Sequence, residues 1–184
     1  MELLLDMLVT LAAVIWVGLA SWSGRGHFQS DKVPLGSILI MLVVLAATLT
    51  YLYLAWTLSQ PLVSQTVGFL LQCAGLWLFV ITLRASRRGR LRMAFDEGNP
   101  RGLVTEGPYQ YVRHPFYVSY IMYFAGFAIA TWSWIAVLPL AILLVIYVLA
   151  ARMEEGKFAN TPMSAEYQAY RRRTGFFFPK IAGT

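Results

Sequence analysis

Hydrophobic residues occur in five long blocks along the chain, and short polar stretches separate them. The blocks are Leu3–Ala20, Pro34–Leu58, Leu62–Leu83, Phe116–Thr131 and Ile135–Ala151. A helix that crosses a membrane needs about 20 predominantly apolar residues, with a lower limit of about 17. The first three blocks are long enough, whereas the last two are short and are separated only by Trp132–Trp134. We interpret this tripeptide as a tight turn in an interfacial aromatic belt, so that the last two blocks form a helical hairpin.

The composition agrees with an integral membrane protein. Of 184 residues, 58% are hydrophobic and 13% are charged, and a soluble domain carries roughly twice that charged fraction. The predicted fold class is all-α, with five transmembrane helices. Five spans leave too little soluble chain for a second domain, so residues 1–184 are expected to form one membrane domain: three spans in 1–85, then a polar loop, the hairpin and a tail in 86–184. Glu2 and Asp6 stand where a signal peptide needs positive charge, so the first block is expected to remain as a span.

Basic residues predict the orientation. They lie between the first and second blocks, between the third and fourth, and after the fifth, while the connections Ser59–Pro61 and Trp132–Trp134 carry none. If five spans alternate, every basic residue falls on one side, which the positive-inside rule assigns to the cytoplasm. The N-terminus is then expected outside, with the polar loop and the C-terminus in the cytoplasm.

The net charge of +6 needs no nucleic acid as a partner. Basic segments beside a membrane attract anionic lipid headgroups, and neither a nucleic-acid motif nor a glycine-rich phosphate loop is visible. Cys73 is the only cysteine, so an intrachain disulfide is excluded. His27 and His114 lie far apart, and no metal site is predicted. The expected partner is the lipid bilayer.

The longest polar passage, Gly102–Tyr117, ends with Arg113 and His114 directly before Pro115. The residue before a proline avoids the α region, and proline is favoured in the first turn of a helix. We therefore expect a helix to begin near Pro115, with His114 just outside it. The imidazole and the free N–H groups of the first turn would face one space, which suits an anionic or polar ligand. The alternative is a juxtamembrane loop that contacts lipid headgroups.

The tail contains three further features. Glu154 and Glu155 leave the fifth block together, and neighbours on a helix point about 100° apart. One carboxylate could face a pocket while the other meets solvent or an arginine; the alternative is ordinary surface solvation. Residues 164–173 predict an amphipathic helix with Ser164 as a possible N-cap, on which Tyr167 and Tyr170 share a face. The apolar segment Phe176–Pro179 is expected to dip into the membrane surface.

Together these residues resemble the isoprenylcysteine carboxyl methyltransferase and phospholipid methyltransferase family of integral membrane enzymes. The resemblance covers residues 95–180 and is carried by Gly102-Leu-Val-Thr-x-Gly-Pro-Tyr-x-Tyr-Val-Arg-His-Pro-x-Tyr117, the hairpin, Glu154-Glu155, Glu166-Tyr-x-x-Tyr-x-x-Arg173 and Pro179. It implies a methyltransferase that uses S-adenosylmethionine, with a cytoplasmic catalytic loop and a C-terminal amphipathic helix in place of the Rossmann-type sheet of soluble methyltransferases.

By position, the resemblance implies a cofactor site made of Arg101, Gly102, Leu103, Val104, Tyr109, His114, Pro115, Phe116, Tyr117, Glu154 and Glu155. A carboxylate suits the ribose diol or ammonium of the cofactor, and tyrosine faces suit adenine and the sulfonium. No catalytic residue is assigned, because methyl transfer chiefly needs positioning and exclusion of water. Arg152 and Arg173 are the candidates for orienting an anionic acceptor, and headgroup contact is the alternative for the arginines at 171–173.

Three positions depart from the family pattern. Ser119 replaces a frequent glycine, Ala151 stands where the isoprenylcysteine enzymes place an acceptor-binding arginine, and Phe176 replaces an arginine of many relatives. We therefore expect the acceptor not to be a prenylated protein C-terminus. The resemblance leaves a lipophilic or small acceptor open: an isoprenylcysteine-type carboxyl, a phospholipid amine or a thiol. The alternatives are an NADPH-dependent intramembrane reductase of the sterol-reductase type, a non-enzymatic lipid-binding membrane protein and a small transporter subunit.

Overall fold

The structure, a computed structural model, describes residues 2–26, 28, 33–87, 91, 93–96, 100 and 102–180. Six α-helices account for most of them: α1 (Glu2–Gly26), α2 (Leu35–Thr57), α3 (Leu62–Ala85), α4 (Pro115–Thr131), α5 (Val137–Lys157) and α6 (Ser164–Arg173). Short 3-10 turns lie at Gly107–Gln110, Trp134–Ala136 and Phe158–Asn160. Apart from an isolated bridge between Val112 and Gly175, the described residues form no β-structure. The predicted all-α fold is thus confirmed.

Five apolar helices occur among the described residues, at the five predicted blocks. Four segments are long and apolar enough to cross a membrane, namely Leu3–Ser23, Leu35–Thr57, Leu62–Ala85 and Trp134–Asn160. The fifth, α4, is shorter, with 17 residues. The chain is therefore an integral membrane protein. That α4 completes a fifth crossing stays a prediction, as does the side of the membrane on which each end lies.

α4 is the central helix of the bundle, and glycines bring α3 against it. The rings of Tyr123, Phe124 and Phe127 on α4 are completely buried. A Cβ atom added to Gly126 would lie 2.8 Å from the backbone nitrogen of Gln72, so the two backbones are in direct contact there. Small residues permit such close approach between membrane helices, where dispersion contacts replace the hydrophobic effect as the source of attraction. This packing fixes the position of the first turn of α4.

The hairpin between α4 and α5 is confirmed. Trp132 ends α4 in the left-handed conformation, with φ 48° and ψ 36°, and its N–H donates to the carbonyl of Ile129 at 3.1 Å. Trp132 and Trp134 are 68% and 84% exposed, as expected for side chains at a membrane interface. Because the connection is so short, α5 runs back along α4. It returns Glu154 and Glu155 to the end of α4 that carries His114.

A polar cluster ties the other end of the bundle together. The side-chain amide of Gln65 donates to Asp6 at 2.9 Å and to Gln60 at 2.8 Å. These bonds join α1 to α3 and give the acidic residue of the first block a partner, which a carboxylate needs in an apolar environment.

The tail differs from one prediction. Tyr167 and Tyr170 are buried on one face of α6, as expected. Ser164, however, is not the N-cap. It is already helical, no side chain caps α6, and its N–H donates to the carbonyl of Thr161 at 3.0 Å.

The segment after α6 has two environments. Phe176 and Phe177 are partly buried, with ring centroids 5.0 and 6.1 Å from that of His114, whereas Phe178 is 83% exposed. That this segment dips into the membrane surface stays a prediction.

Candidate functional site

A cavity of about 290 Å³ lies where the polar loop, the first turn of α4, the end of α5 and α6 meet α1 and α2. At the helix ends its lining includes Arg113, His114, Glu154 and Glu155. Deeper in the bundle the lining is mainly apolar and aromatic, and includes Trp16, Ala20, Ile40, Met41, Val44, Tyr120 and Tyr147. The cavity therefore has a charged half and an apolar half.

Glu155 is the centre of the charged half. Its Oε1 atom accepts from Arg113 Nε at 2.6 Å and lies 3.1 Å from His114 Nε2. Its Oε2 atom lies 3.8 Å from Arg171 Nε. The side chain of Glu155 is only 11% exposed, so these cations offset the cost of burying its charge. The network joins α5 to the residues that precede α4.

Arg113 also holds the tail in place. Its Nη1 atom donates to the carbonyl of Thr174 at 2.6 Å, and its backbone N–H donates to the carbonyl of Gly175 at 2.8 Å. Gly175 in turn donates to the carbonyl of Tyr111 at 3.0 Å. A Cβ atom at Gly175 would collide with the carbonyl of Phe178, so the tight turn of the tail between these two residues requires glycine. The tail that follows α6 is thereby kept over His114.

His114 occupies the position that the sequence predicted. It is the non-helical residue before α4, with φ −125° and ψ 59°, and Pro115 is the first residue of the helix. Its Nδ1 atom lies 3.6 Å from Glu154 Oε2. Burial lowers the pKa of His114, but hydrogen bonds and negative charge from Glu154 and Glu155 outweigh it and hold the pKa above its ordinary value. The imidazolium form is stabilised between two carboxylates.

Glu154 is the more open carboxylate of the two, with a side-chain exposure of 32% against 11% for Glu155. Its Oε1 atom accepts a short hydrogen bond from the hydroxyl of Tyr117. Both carboxylates line the cavity, so the expectation that one would face the pocket and the other solvent or an arginine was incomplete. Glu155 meets arginine and faces the cavity at once, because Arg113 itself lies in the lining.

Most residues of the expected cofactor site lie around this cavity: Gly102, Leu103, Val104, Tyr109, His114, Phe116, Tyr117, Glu154 and Glu155. Pro115 is buried beside them but lies outside the lining. Arg101 lies outside the described residues. Arg152 and Arg173 are exposed and do not line the cavity, and the guanidinium of Arg173 lies 5.9 Å from the ring of Tyr170. Their role toward an acceptor stays a prediction.

Sequence reasoning missed several lining residues. Tyr120 and Tyr147 contact the cavity from α4 and α5, and only the three-residue spacing between Tyr117 and Tyr120 indicates a shared face. Lys157 donates from α5 to the carbonyl of Asp96 and so attaches the polar loop to the bundle. Its position in the last turn of a helix gave no sign of this partner.

In the described part of the chain, no group of three or more His, Cys, Asp or Glu side chains is arranged to hold a metal ion.

The fold and the cavity are those of an integral membrane protein with a cavity at the ends of its helices. A charged cluster at the helix ends is joined to an apolar space among membrane helices, so a polar ligand and a lipophilic one can meet. The family model of the phospholipid methyltransferases matches residues 63–163, which include α3, the polar loop, α4 and α5. The chain belongs to the phospholipid methyltransferase family, and the resemblance drawn from the sequence is confirmed. No curated protein matches the chain.

Proposed function

We propose that this membrane methyltransferase transfers a methyl group from S-adenosylmethionine to an acceptor held at the membrane. The observation that carries the proposal is the two-part cavity. Its charged half is formed mainly by helices and the loop within the family match, and its apolar half opens among membrane helices. A polar cofactor can therefore approach from the charged half, and a lipophilic acceptor can reach the same space from among the membrane helices.

The residues of the charged half fit the chemical groups of the cofactor. Glu154, the more exposed carboxylate, suits the ammonium or the ribose diol. Backbone groups of Gly102–Val104 lie in the lining and can hydrogen-bond polar edges. The faces of Tyr109 and Tyr117 suit the adenine ring and attract the positive sulfonium. When bound, the cofactor supplies the activated methyl group.

Glu155 acts mainly as a positioning residue. Its carboxylate is nearly buried and contacts Arg113, His114 and Arg171, so it orients the first two, which line the cavity. The guanidinium and the imidazolium are then suited to an anionic group of the cofactor or of the acceptor. Phe176 and Phe177 cover the imidazole and restrict water. An in-line displacement benefits from fixed geometry and from the exclusion of water. No general base is assigned.

The acceptor is proposed to be a lipophilic molecule or a small thiol other than a prenylated protein C-terminus. Ala151 occupies the family position of the acceptor-binding arginine, and its methyl group is completely buried. Ser119, in place of the frequent glycine, is also buried and donates to the carbonyl of Phe116 at 2.6 Å. With the orientation given by the basic residues, the charged half faces the cytoplasm. No feature of the described residues favours a reductase or a non-catalytic lipid-binding protein over this proposal.

Calorimetry on the purified protein in detergent tests the proposal. We expect S-adenosylhomocysteine to bind and NADPH not to bind above buffer. Binding of NADPH alone, or of neither compound, would refute the assignment as a methyltransferase.

Incubation with methyl-labelled cofactor and total membrane lipid, small thiols or a prenylcysteine then tests the acceptor. Label is expected in lipid or thiol, and exclusive labelling of the prenylcysteine would overturn that part.

A further inference from the structure

Most of the apolar half of the cavity is built by two helices that lie outside the family match. On α1, Trp16 and Ala20 are four residues apart and share one face, which lines the cavity. On α2, Ile40, Met41 and Val44 form a similar stripe. Because the matched residues begin at 63, this part of the cavity is contributed by the region in which the family model finds no correspondence. It is therefore the part suited to selecting the ligand of this particular chain.

The two stripes reach the same depth. Trp16 lies ten residues before the end of α1 at Gly26, and Val44 lies nine residues after the start of α2 at Leu35. At a rise of about 1.5 Å per residue, Trp16 and Val44 each lie about 14–15 Å from that end of their own helix, on the side of the bundle where the charged half lies. This is about half of a hydrocarbon core that is about 30 Å thick. Beyond them, Ala13 and Ala47 are buried and outside the lining, so the cavity ends at this level.

Trp16 forms the end of the cavity, and its ring is held in place on several sides. It stacks on Tyr123 with ring centroids 4.4 Å apart and an interplanar angle of 7°. It also meets the edge of Tyr120 at 5.3 Å and packs at 5.3 Å from Phe79. The residue is only 3% exposed. A ring fixed in this way gives the cavity a definite length.

Met41 lies between the cavity and the exposed side of α2. Its side chain lines the cavity, yet the residue is 51% exposed on α2, a helix apolar enough to cross a membrane. Such a residue contacts the cavity on one side and the bilayer on the other. Methionine is flexible and adapts to different apolar neighbours. A hydrocarbon chain could pass beside it from the membrane without crossing water.

We propose that the apolar half of the cavity binds a hydrocarbon chain of a membrane lipid, that the chain enters beside Met41, and that Trp16 limits the length it can accommodate. The assignment of that lipid as the methyl acceptor rests on the proposed function. The occupant follows from the lining: Ile40 and Val44 are aliphatic, Trp16 contributes a large aromatic ring, and the charged half at the other end can receive a polar headgroup.

Photo-crosslinking in phosphatidylcholine nanodiscs tests the site. The probes are a phosphatidylethanolamine and a phosphatidylglycerol, each with a diazirine near the end of one acyl chain, and mass spectrometry locates the adducts. We expect adducts on Trp16 and Val44 in the wild-type protein. Met41→Trp should abolish them by filling the proposed entry route. Leu39→Trp is the matched control, because Leu39 is 57% exposed on the same helix but does not line the cavity, and it should retain them.

Trp16→Ala should lengthen the cavity and move the chain-end adducts to the level of Ala13 and Ala47. If neither probe labels Trp16 or Val44 in the wild-type protein, or if Met41→Trp and Leu39→Trp label these residues alike, the proposal is wrong. Titration of the same samples with S-adenosylhomocysteine separates this result from the proposed function. If the wild-type protein does not bind S-adenosylhomocysteine, the proposed methyltransferase function is refuted. If it binds S-adenosylhomocysteine but shows no chain-end adducts, only the proposed site for the hydrocarbon chain is refuted.

Discussion

The Oε1 atom of Glu155 lies 2.6 Å from the Nε atom of Arg113, and both side chains are nearly buried, with exposures of 11% and 8%. The two residues are 42 positions apart, so the pair connects the end of α5 to the polar stretch before α4. The same oxygen contacts His114. The pair therefore determines both the assembly of the charged half of the cavity and the direction in which its cations point.

Glu155→Gln should damage stability and cofactor binding together. The substitution keeps the size of the side chain but leaves Arg113 buried without its counter-charge, and breaking a buried pair in this way costs about 3–5 kcal/mol. Arg113 and His114 also lose the carboxylate that orients them toward the cavity. The charged hydrogen bond that they are proposed to offer the ligand should weaken, and the affinity for S-adenosylhomocysteine should fall by roughly 10- to 150-fold. Thermal unfolding in detergent and calorimetry measure the two effects.

Glu166→Gln is the control for this experiment. Glu166 is exposed on α6, so its variant should unfold and bind the cofactor as the wild-type protein does. Combining Glu155→Gln with His114→Ala should be non-additive, since the two side chains contact each other. Wild-type affinity and wild-type stability in Glu155→Gln would contradict the network.

Stability should fall with rising pH because of His114. Its folded-state pKa is raised, since Glu154 and Glu155 outweigh the effect of burial. The stabilisation from the imidazolium is therefore complete below the unfolded value of about 6.5 and is lost as the pH rises through the raised pKa. The melting temperature, measured from about pH 6 to about pH 9, should decline more steeply in the wild-type protein than in His114→Gln. Parallel curves would show that His114 is not charged in the folded state.

Gly126→Ala should destabilise the bundle. The added methyl group would lie 2.8 Å from the backbone nitrogen of Gln72 on α3, and relieving such overpacking costs about 1–3 kcal/mol. Gly18→Ala is the matched control, because a Cβ atom there has no neighbour within 4 Å and alanine favours a helix by up to about 1 kcal/mol. Thermal unfolding should rank Gly126→Ala below the wild-type protein and Gly18→Ala level with it or above. Equal stability of the two variants would refute the close α3–α4 contact.

Lys157→Met should loosen the polar loop. The ammonium group of Lys157 donates to the carbonyl of Asp96, and methionine keeps an apolar stem of similar length without the donor. We expect faster amide hydrogen exchange in residues 93–96 and 102–104 and weaker cofactor binding, because 102–104 line the cavity. Arg152→Met, at an exposed position of the same helix, should leave the exchange unchanged. Equal protection of the loop in both variants would argue against the attachment.

Reporter fusions should resolve whether α4 crosses the membrane. With five spans and a cytoplasmic C-terminus, reporters placed after residues 60, 100, 133 and 184 should report outside, inside, outside and inside. The decisive comparison is between 100 and 133, which bracket the 17-residue helix α4. If both report from one compartment, α4 does not span the bilayer.

The sequence by itself determined the features that depend on short-range physics. The apolar blocks predicted five helices because their length and composition are those of membrane segments. The steric effect of Pro115 on the preceding residue placed His114 just outside α4. The short connection at Trp132–Trp134 required α5 to turn back along α4, which brought Glu155 to the end of α4 where His114 lies. These conclusions need no knowledge of which helix faces which.

Only the tertiary structure decided how each helix is rotated about its axis. Lipid chains are as apolar as leucine, so an apolar helix in a membrane shows no polar stripe that distinguishes its lipid-facing side from its buried side. The sequence therefore gave no sign that Trp16 and Met41 line the cavity, or that Phe176 packs on His114. The pairing of Glu155 with Arg113 was hidden for a related reason. Several arginines are equally available along the chain, and the folded positions of α5 and the tail select Arg113 as the close partner and Arg171 as a more distant one.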